Sequence, residues 1–561
     1  MYQQVYDPVS NSLGLSSIFA ALPLLTLFIL LGGLKFKAQW AALISLAVAL
    51  GVAIIVYGEP VGQAFDSALL GATFGFFPIM WIVINAIWIY NMTVASGHFQ
   101  VLRRSFATIS DDQRVQAVII AFCFGALLEA LAGFGTPVAI TAVMLIGLGF
   151  TPIKAASVAL VANTAPVAFG AIAIPIITLA EITGLPKEDL GAMVGRQTPL
   201  IAVFVPLILV GVVDGIRGLR QAWPAALAGG LTFAVAQFLC SNYISVELTD
   251  IVASLLGAGA IVLLLRFWRP SEPLVGEVPA GAGGPQPAMA GAATSDPAFE
   301  SEVRGRNGKD TLGEVFRAYA PYLIVIVIFG LAQLGPIKDA LASATKTFTW
   351  PGLDVRNSKG EALASATFNF NWLAAAGTLL LLCGLLTMLV LRMSPGRALK
   401  AYLATLDQLK WAIVTVMSVL ALAYVMNQSG QTTTIGLWLA GAGGIFAFLA
   451  GIIGWLGVAV TGSDTSSNSL FGALQVAAAK ESGLSPTLMA AANSSGGVMG
   501  KMISPQNLAI GAAAVGMAGQ EGELFRRVVG WSLLLLLIMC CLVYLQSTDI
   551  LGWMVVGGNP Q

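Results

Sequence analysis

Three ionisable side chains stand inside apolar sequence, where a charge is costly. Glu129 lies in Gly125-Ala126-Leu127-Leu128-Glu129-Ala130, Asp464 in Gly462-Ser463-Asp464-Thr465-Ser466, and Lys501 in Gly500-Lys501-Met502-Ile503-Ser504-Pro505. Inserting such a group at the centre of a bilayer costs roughly 2.5–3.5 kcal/mol, so each is a functional candidate. A carrier of a small carboxylate needs a cation, or the amides of helix N-termini, to replace the water around that carboxylate. Lys501 offers the cation, and backbone bared after Gly133, Asn163 and Asn493 offers the amides. Thr136, Ser463, Thr465 and Ser466 are at hand for a substrate hydroxyl. Gly135, Thr164 and Ser494, beside these, complete the candidate binding set. A proton-coupled carrier also needs a carboxyl that changes charge near neutrality, and burial works toward this by disfavouring the charged form. Glu129 and Asp464 are the candidates. The plainer alternatives are a structural ion pair between Lys501 and Asp464, and a Glu129 that ends a helix and reaches water.

The elements that must hold these groups are interrupted helices. Gly133-Phe134-Gly135-Thr136-Pro137 and Asn163-Thr164-Ala165-Pro166 form one pair of helix-breaking stretches; Gly462-Ser463-Asp464-Thr465-Ser466 and Asn493-Ser494-Ser495-Gly496-Gly497 form another. Bared backbone groups cost several kcal/mol each in hydrocarbon unless protein or a wet cavity satisfies them. Two such interruptions in corresponding places point to a transporter's binding site. The stretches keep register: Asn163 and Asn493 are 330 residues apart, as are Pro175 and Pro505, and Arg196 and Arg526. Gly97 and Gly430 are 333 apart, and Thr136 and Thr465 are 329 apart. We read an internal duplication.

Composition fixes the class. Of 561 residues, 57% are hydrophobic and only 10% charged, against about 25% charged in soluble chains. The mean hydropathy is +0.84. With 28 basic and 28 acidic residues, there is no net field to attract nucleic acid. The five cysteines (Cys123, Cys240, Cys383, Cys540, Cys541) lie in apolar runs without metal-ligand spacing, and neither a metal nor another cofactor is expected. No Lys or Arg occurs in the first thirteen residues, so the first apolar run is expected to stay as a span rather than act as a signal peptide.

Runs of about 20 apolar residues suit spanning helices. They lie near 15–34, 38–57, 68–95, 198–216, 222–240, 248–267, 318–335, 371–391 and 525–546, with broken pieces over 114–182 and 411–516. Basic loops mark the cytoplasmic side: Lys35 and Lys37; Arg103, Arg104 and Arg114; Arg217 and Arg220; Arg266 and Arg269; Arg392, Arg397, Lys400 and Lys410; Arg526 and Arg527. Acidic loops with Glu59 and Asp66, and with Glu247 and Asp250, are then outside, as are both termini. On this assignment the span ending at Gly97 runs inward and that ending at Gly430 runs outward, so the two repeats are inverted. The expected fold is an all-α polytopic membrane protein, an inverted-topology repeat carrier with about 12 spanning helices and two re-entrant or broken-helix hairpins. Residues 1–216 form the first repeat, with its broken region at 114–182. A connecting span pair follows at 217–269, then a Gly/Pro/Ala-rich flexible cytoplasmic linker at 270–316. The second repeat occupies 317–561, with its broken region at 434–516. Pieces 136–150 and 465–480, at about 15 residues, are short for spans. His98, the lone histidine, reads as an interfacial residue, and Arg196 and Arg526 as anchors at span ends.

Four stretches carry a resemblance: Leu128-Glu129-Ala130-Leu131-Ala132-Gly133-Phe134-Gly135-Thr136-Pro137, Ala162-Asn163-Thr164-Ala165-Pro166-Val167-Ala168-Phe169-Gly170, Ser463-Asp464-Thr465-Ser466-Ser467-Asn468 and Gly500-Lys501-Met502-Ile503-Ser504-Pro505-Gln506. With them the chain resembles the bacterial L-lactate permease family from first span to last. The resemblance implies proton-coupled uptake of L-lactate, and of D-lactate and glycolate, across the bacterial inner membrane, driven by the proton gradient alone. It further implies kinship with carriers that move substrate on a mobile domain of two re-entrant hairpins. Expected partners are the monocarboxylate, the proton and the bilayer; a homodimer is compatible. The rival within the same fold is a sodium-coupled carrier of other organic anions such as dicarboxylates, with Asn163, Asn493 and the Ser/Thr groups around sodium. A hydrolase using a serine of 463–469 lacks a nearby histidine.

Overall fold

The computed structural model describes residues 1–559 except 35, 108, 134, 275–309, 333 and 518–519. The chain is helical almost throughout, as an apolar chain must be where no water satisfies the backbone. Among the described residues, nine helical stretches are long and apolar enough to cross a membrane. They become ten if Pro152–Ala162 and Val167–Thr183, bent by 63°, count as one. The expectation of about 12 exceeds this because several apolar runs fold short. The runs 248–267 and 371–391 become Thr249–Leu264 and Ala376–Val390, of 16 and 15 residues. Runs 198–216 and 222–240 join in Thr198–Tyr243, kinked where Asp214 and Gly215 leave helical geometry. The piece 434–456 divides instead into Gln431–Ala440 and Phe446–Thr461. The piece 465–480 is longer than its apolar run, a helix of 18 residues over Asp464–Glu481.

Two long elements set the directions of the chain. The stretch Val61–Ala95 packs antiparallel to Pro395–Ser429. A side chain on Gly71 would meet the Leu420 carbonyl at 2.5 Å, and one on Gly75 the Met417 backbone at 2.9 Å. Further along, Asn91 donates to Thr405 at 2.9 Å and Arg397 to the Ala95 carbonyl at 3.3 Å. Each element ends in a glycine of left-handed conformation, Gly97 at φ +78° and Gly430 at φ +93°. The N-terminal segment caps the Gly430 end. Gln4 donates to the carbonyls of Asn427 and Gln428, and the Tyr2 hydroxyl to those of Ser429 and Tyr57. Such carbonyls, in the last turn of a helix or just past its end, are those that intrahelical bonds satisfy least.

Two small sheets depart from the all-α expectation. Lys346–Thr349 pairs antiparallel with Thr367–Phe370, and Tyr2–Gln3 pairs parallel with Val355–Arg356. Most of the 270–316 linker lies outside the described residues, but its first residues dock. Arg114, fully buried, binds Asp112 at 2.7 Å, Asp214 at 3.1 Å and the Glu272 carbonyl at 2.7 Å, while Leu274 N–H donates to Asp112 at 3.1 Å. Burial works to raise the pKa of the Asp112 carboxyl, but the hydrogen bonds from Arg114 outweigh it and hold the group below the usual carboxylate range.

The expected break at Asn493 to Gly497 is absent. Pro486–Gly500 is one continuous helix, and the chain breaks after it, at the short 3₁₀ turn Lys501–Ile503. The glycines serve close packing instead, as small residues do between membrane helices. A side chain on Gly496 would meet the Gly451 carbonyl at 2.2 Å, and one on Gly500 the Trp455 carbonyl at 2.4 Å. On the facing helix, a side chain on Gly454 would meet the Asn493 carbonyl at 1.9 Å. Both partners are backbone, so nothing flexible can yield. Gly454→Ala is expected to destabilise the purified protein by about 1–3 kcal/mol or more, read as a lower midpoint of thermal unfolding in detergent. An unchanged midpoint would show that the helices separate freely there.

Candidate functional site

A cavity of about 900 Å³ forms where four interrupted pieces converge. Glu129 and Gly133 come from the end of the Gly125–Ala132 helix, and Gly170, Ala171 and Pro175 from beyond the first bend. Thr461 to Ser466 supply the second wall, and Lys501, Pro505 and Gln506 the third. Lys37, Trp411 and Glu521 also line it. The breaks arise from local chemistry. Gly135 sits at φ +82° and Gly462 at φ +75°, a region costly for side chains with a Cβ. Each is close to a helix start, Thr136 with Pro137 behind it and Asp464. Ser463 caps the latter, its side chain accepting from Ser466 N–H at 3.2 Å.

The two halves of the chain meet in an ion pair. The Lys501 ammonium donates to Glu129 Oε1, and Asn163 Nδ2 donates to Glu129 Oε2 at 3.2 Å. Glu129 is 2% exposed and Lys501 6%. Glycines make room for the carboxylate: a side chain on Gly170 would meet Glu129 Oε1 at 2.9 Å, and one on Gly133 at 3.2 Å. Lys501 therefore pairs with Glu129, and the expected alternative pair with Asp464 does not form. Asp464 Oδ2 instead accepts from Ser494 Oγ at 2.6 Å and Asn468 at 3.4 Å, while its Oδ1 has no partner among the described residues. Glu129 stands near the end of its helix and lines the cavity, with both carboxylate oxygens engaged by Lys501 and Asn163.

Of the sequence-derived candidates, Glu129, Gly133, Ser463, Asp464, Thr465, Ser466 and Lys501 line the cavity. Asn163 and Ser494 stand behind the two carboxylates as hydrogen-bond donors. Gly135 packs against Ile510, where a side chain would come within 2.4 Å. Thr136 opens a helix outside the lining, and Thr164 is buried with its hydroxyl unpartnered among the described residues. Asn493 does not reach the cavity; it bonds Asn468 and Gln475 inside the packed helices. Ala171 to Ala173 were not singled out from sequence. They take left-handed conformations, with φ of 44°, 59° and 57°, at a cost of order 1–3 kcal/mol each where the surroundings hold them. The available signal was the 330-residue offset, which pairs Ala171 with Lys501.

A buried cation–carboxylate pair in a cavity between broken apolar helices is what a membrane carrier presents, and the family of the chain makes it a multi-pass transporter and not an enzyme. The chain belongs to the L-lactate permease family, whose model it matches over residues 16–549. It is 41% identical to the glycolate permease GlcA of Escherichia coli (strain K12) over 566 residues, covering 99% of each chain. It is 42% identical to the L-lactate permease of the same organism over 568 residues, covering 99% of this chain and 100% of that one. Among solved structures, Neisseria gonorrhoeae MtrF, described with a class of antimetabolite efflux pumps, aligns at 15% identity over 95% of this chain and 94% of its own, with a TM-score of 0.46.

Proposed function

We propose that the protein imports L-lactate and related 2-hydroxymonocarboxylates, D-lactate and glycolate, together with protons across the bacterial inner membrane. Its family and the names of its relatives support the substrate class. The Glu129–Lys501 pair in the cavity wall supports the coupling. With Glu129 ionised, Lys501 is neutralised in place and has no net charge to offer a carboxylate. A proton on Glu129 frees Lys501 to pair with one monocarboxylate. Proton and anion then travel together, and no unpaired charge is left buried in either state. Ser463, Thr465 and Ser466, at the N-terminus of the Asp464–Glu481 helix, offer hydroxyl and amide partners to the substrate's 2-hydroxyl. In proteoliposomes, an inward proton gradient should raise the initial uptake of labelled L-lactate well above the rate without a gradient, and exchanging sodium for choline should change nothing. Uptake that follows sodium and ignores the proton gradient would overturn the reading.

The same reading includes an inverted repeat, residues 1–216 against 317–561, with both termini outside. Its support is the antiparallel run of the elements ending at Gly97 and Gly430, and the clustering of the N-terminal segment with the Val355–Arg356 loop at the Gly430 end. Single cysteines at the exposed positions Asp111 and Lys359, in a cysteine-free background, test it. An impermeant maleimide added to intact cells should label Lys359→Cys at once, and Asp111→Cys only after permeabilisation. Labelling of both from one side removes the inversion.

A further inference from the structure

Asp250 is a further buried carboxyl, apart from Glu129 and Asp464, left unused by the pairing of Glu129 with Lys501. It lies in the first turn of Thr249–Leu264 at 0% exposure, although its acidic surroundings in sequence suggest an outside loop. Its Oδ1 accepts from Gln237 Nε2 at 2.9 Å, and Gln237 in turn accepts from Thr198 at 3.2 Å. Its Oδ2 has no partner among the described residues. An oxygen without a donor, on a carboxyl without a counter-ion among the described residues, is where a proton can rest.

The packing sets Asp250 level with Glu129. Thr249–Leu264 lies against the segment that carries Glu129, and two glycine contacts fix their relative direction. A side chain on Gly257 would meet Cys123 Sγ at 3.6 Å, while one on Gly229 would meet both Ile261 and Val118. The pairs 261 with 118 and 257 with 123 run antiparallel, so two further helical turns bring Asp250 beside Glu129. Next to Asp250 in the chain, a separate set of polar contacts reaches the surface without a hydrogen bond to Asp250 itself among the described residues. Thr249 Oγ1 donates to the Ser245 carbonyl at 2.9 Å, and Ser245 Oγ to Glu247 Oε2 at 2.8 Å. Glu247 Oε1 accepts from Lys187 at 2.5 Å, and the Lys187 side chain is 29% exposed. Of the titratable groups nearby, Glu129 on the facing helix acts on Asp250, and Cys240 on Thr198–Tyr243 lies near both Asp250 and Glu247; Lys187 is held by Glu247, and Lys501 by Glu129.

We propose that Asp250 is the station through which a proton from the Glu247 side reaches Glu129, an inference that rests on the proton-coupled reading above. A hydronium ion on the Glu247 side gives up its proton and becomes water, and that proton forms the O–H bond on Asp250 Oδ2. It then passes to a Glu129 carboxylate oxygen, which returns Asp250 to carboxylate and breaks the Glu129–Lys501 pair. No other species is consumed.

The test uses the full chain in proteoliposomes with a pH dye inside, comparing wild type, Asp250→Asn and Asp250→Glu. Asp250→Asn should lower gradient-driven lactate uptake and its accompanying proton influx by about tenfold or more. Exchange of internal for external lactate, which needs no proton taken up, should persist. Asp250→Glu should restore most of the uptake with a displaced pH profile. Wild-type uptake and pH profile in Asp250→Asn would overturn the inference and leave the coupling intact. Loss of exchange along with uptake, without rescue by Asp250→Glu, would overturn it in favour of a structural role. Absence of lactate-dependent proton influx in the wild type would instead bring down the coupled reading itself.

Discussion

Lys501→Ala is expected to lose lactate binding by about 100-fold, the worth of a hydrogen bond to a charged group in a dry site. The purified variant should also be less stable. Removing one partner of a buried ion pair costs about 3–5 kcal/mol, because the other charge is left uncompensated. Here that other charge is Glu129, enclosed between Gly133, Gly170 and Asn163. Two measurements separate the roles. Adding Glu129→Gln to Lys501→Ala should return much of the stability, since a neutral amide needs no counter-ion, but none of the binding. A Lys501→Ala protein that unfolds at the wild-type temperature and binds lactate normally would deny Lys501 both roles.

The second large effect falls on coupling. Glu129→Gln fixes the site in its proton-loaded charge state, with Lys501 permanently free. Lactate should then bind with little dependence on pH and exchange across the membrane, while accumulation against a gradient falls to equilibration. Asp464→Asn is expected to differ. Asp464 accepts from Ser494 and Asn468 and has no cation within bonding distance among the described residues, so its loss should weaken binding but keep the pH dependence. If Asp464→Asn abolishes accumulation and Glu129→Gln does not, the two carboxyls exchange roles.

How far the sequence foretold this site depends on what each signal measures. Glycine followed by a helix start is a local signal, so the breaks at Gly133–Gly135 and at Gly462 were legible. The glycines after Asn493 look the same on the page but belong to a different cause, contact with Gly451 and Gly454 on a neighbouring helix. Single-sequence reading cannot separate a glycine that frees the backbone from one that admits a neighbour. Pairing was less legible still. Glu129 and Lys501 are 372 residues apart, and proximity in sequence favoured Asp464. Asp250 falls in a loop read as outside, and a rule about which side acidic residues gather on says nothing of whether one of them is buried, as Asp250 is. The binary reading of apolar and polar runs served well for where helices lie and poorly for their ends, as the short Thr249–Leu264 and the joined Thr198–Tyr243 illustrate.

The long loop between Glu129 and Lys501 has a consequence for how the protein is made. At roughly 5–20 residues per second of synthesis, Glu129 leaves the ribosome some 20–70 seconds before its partner exists. During that interval the half-made chain carries an acid meant for the bilayer interior with nothing to neutralise it. The nascent chain must therefore wait with Glu129 protonated, or sheltered by the first-half helices and Asn163. A chain truncated ahead of Lys501 should accumulate to a higher level in the membrane as Glu129→Gln than as wild type; equal levels would mean that the waiting acid is no burden to the cell.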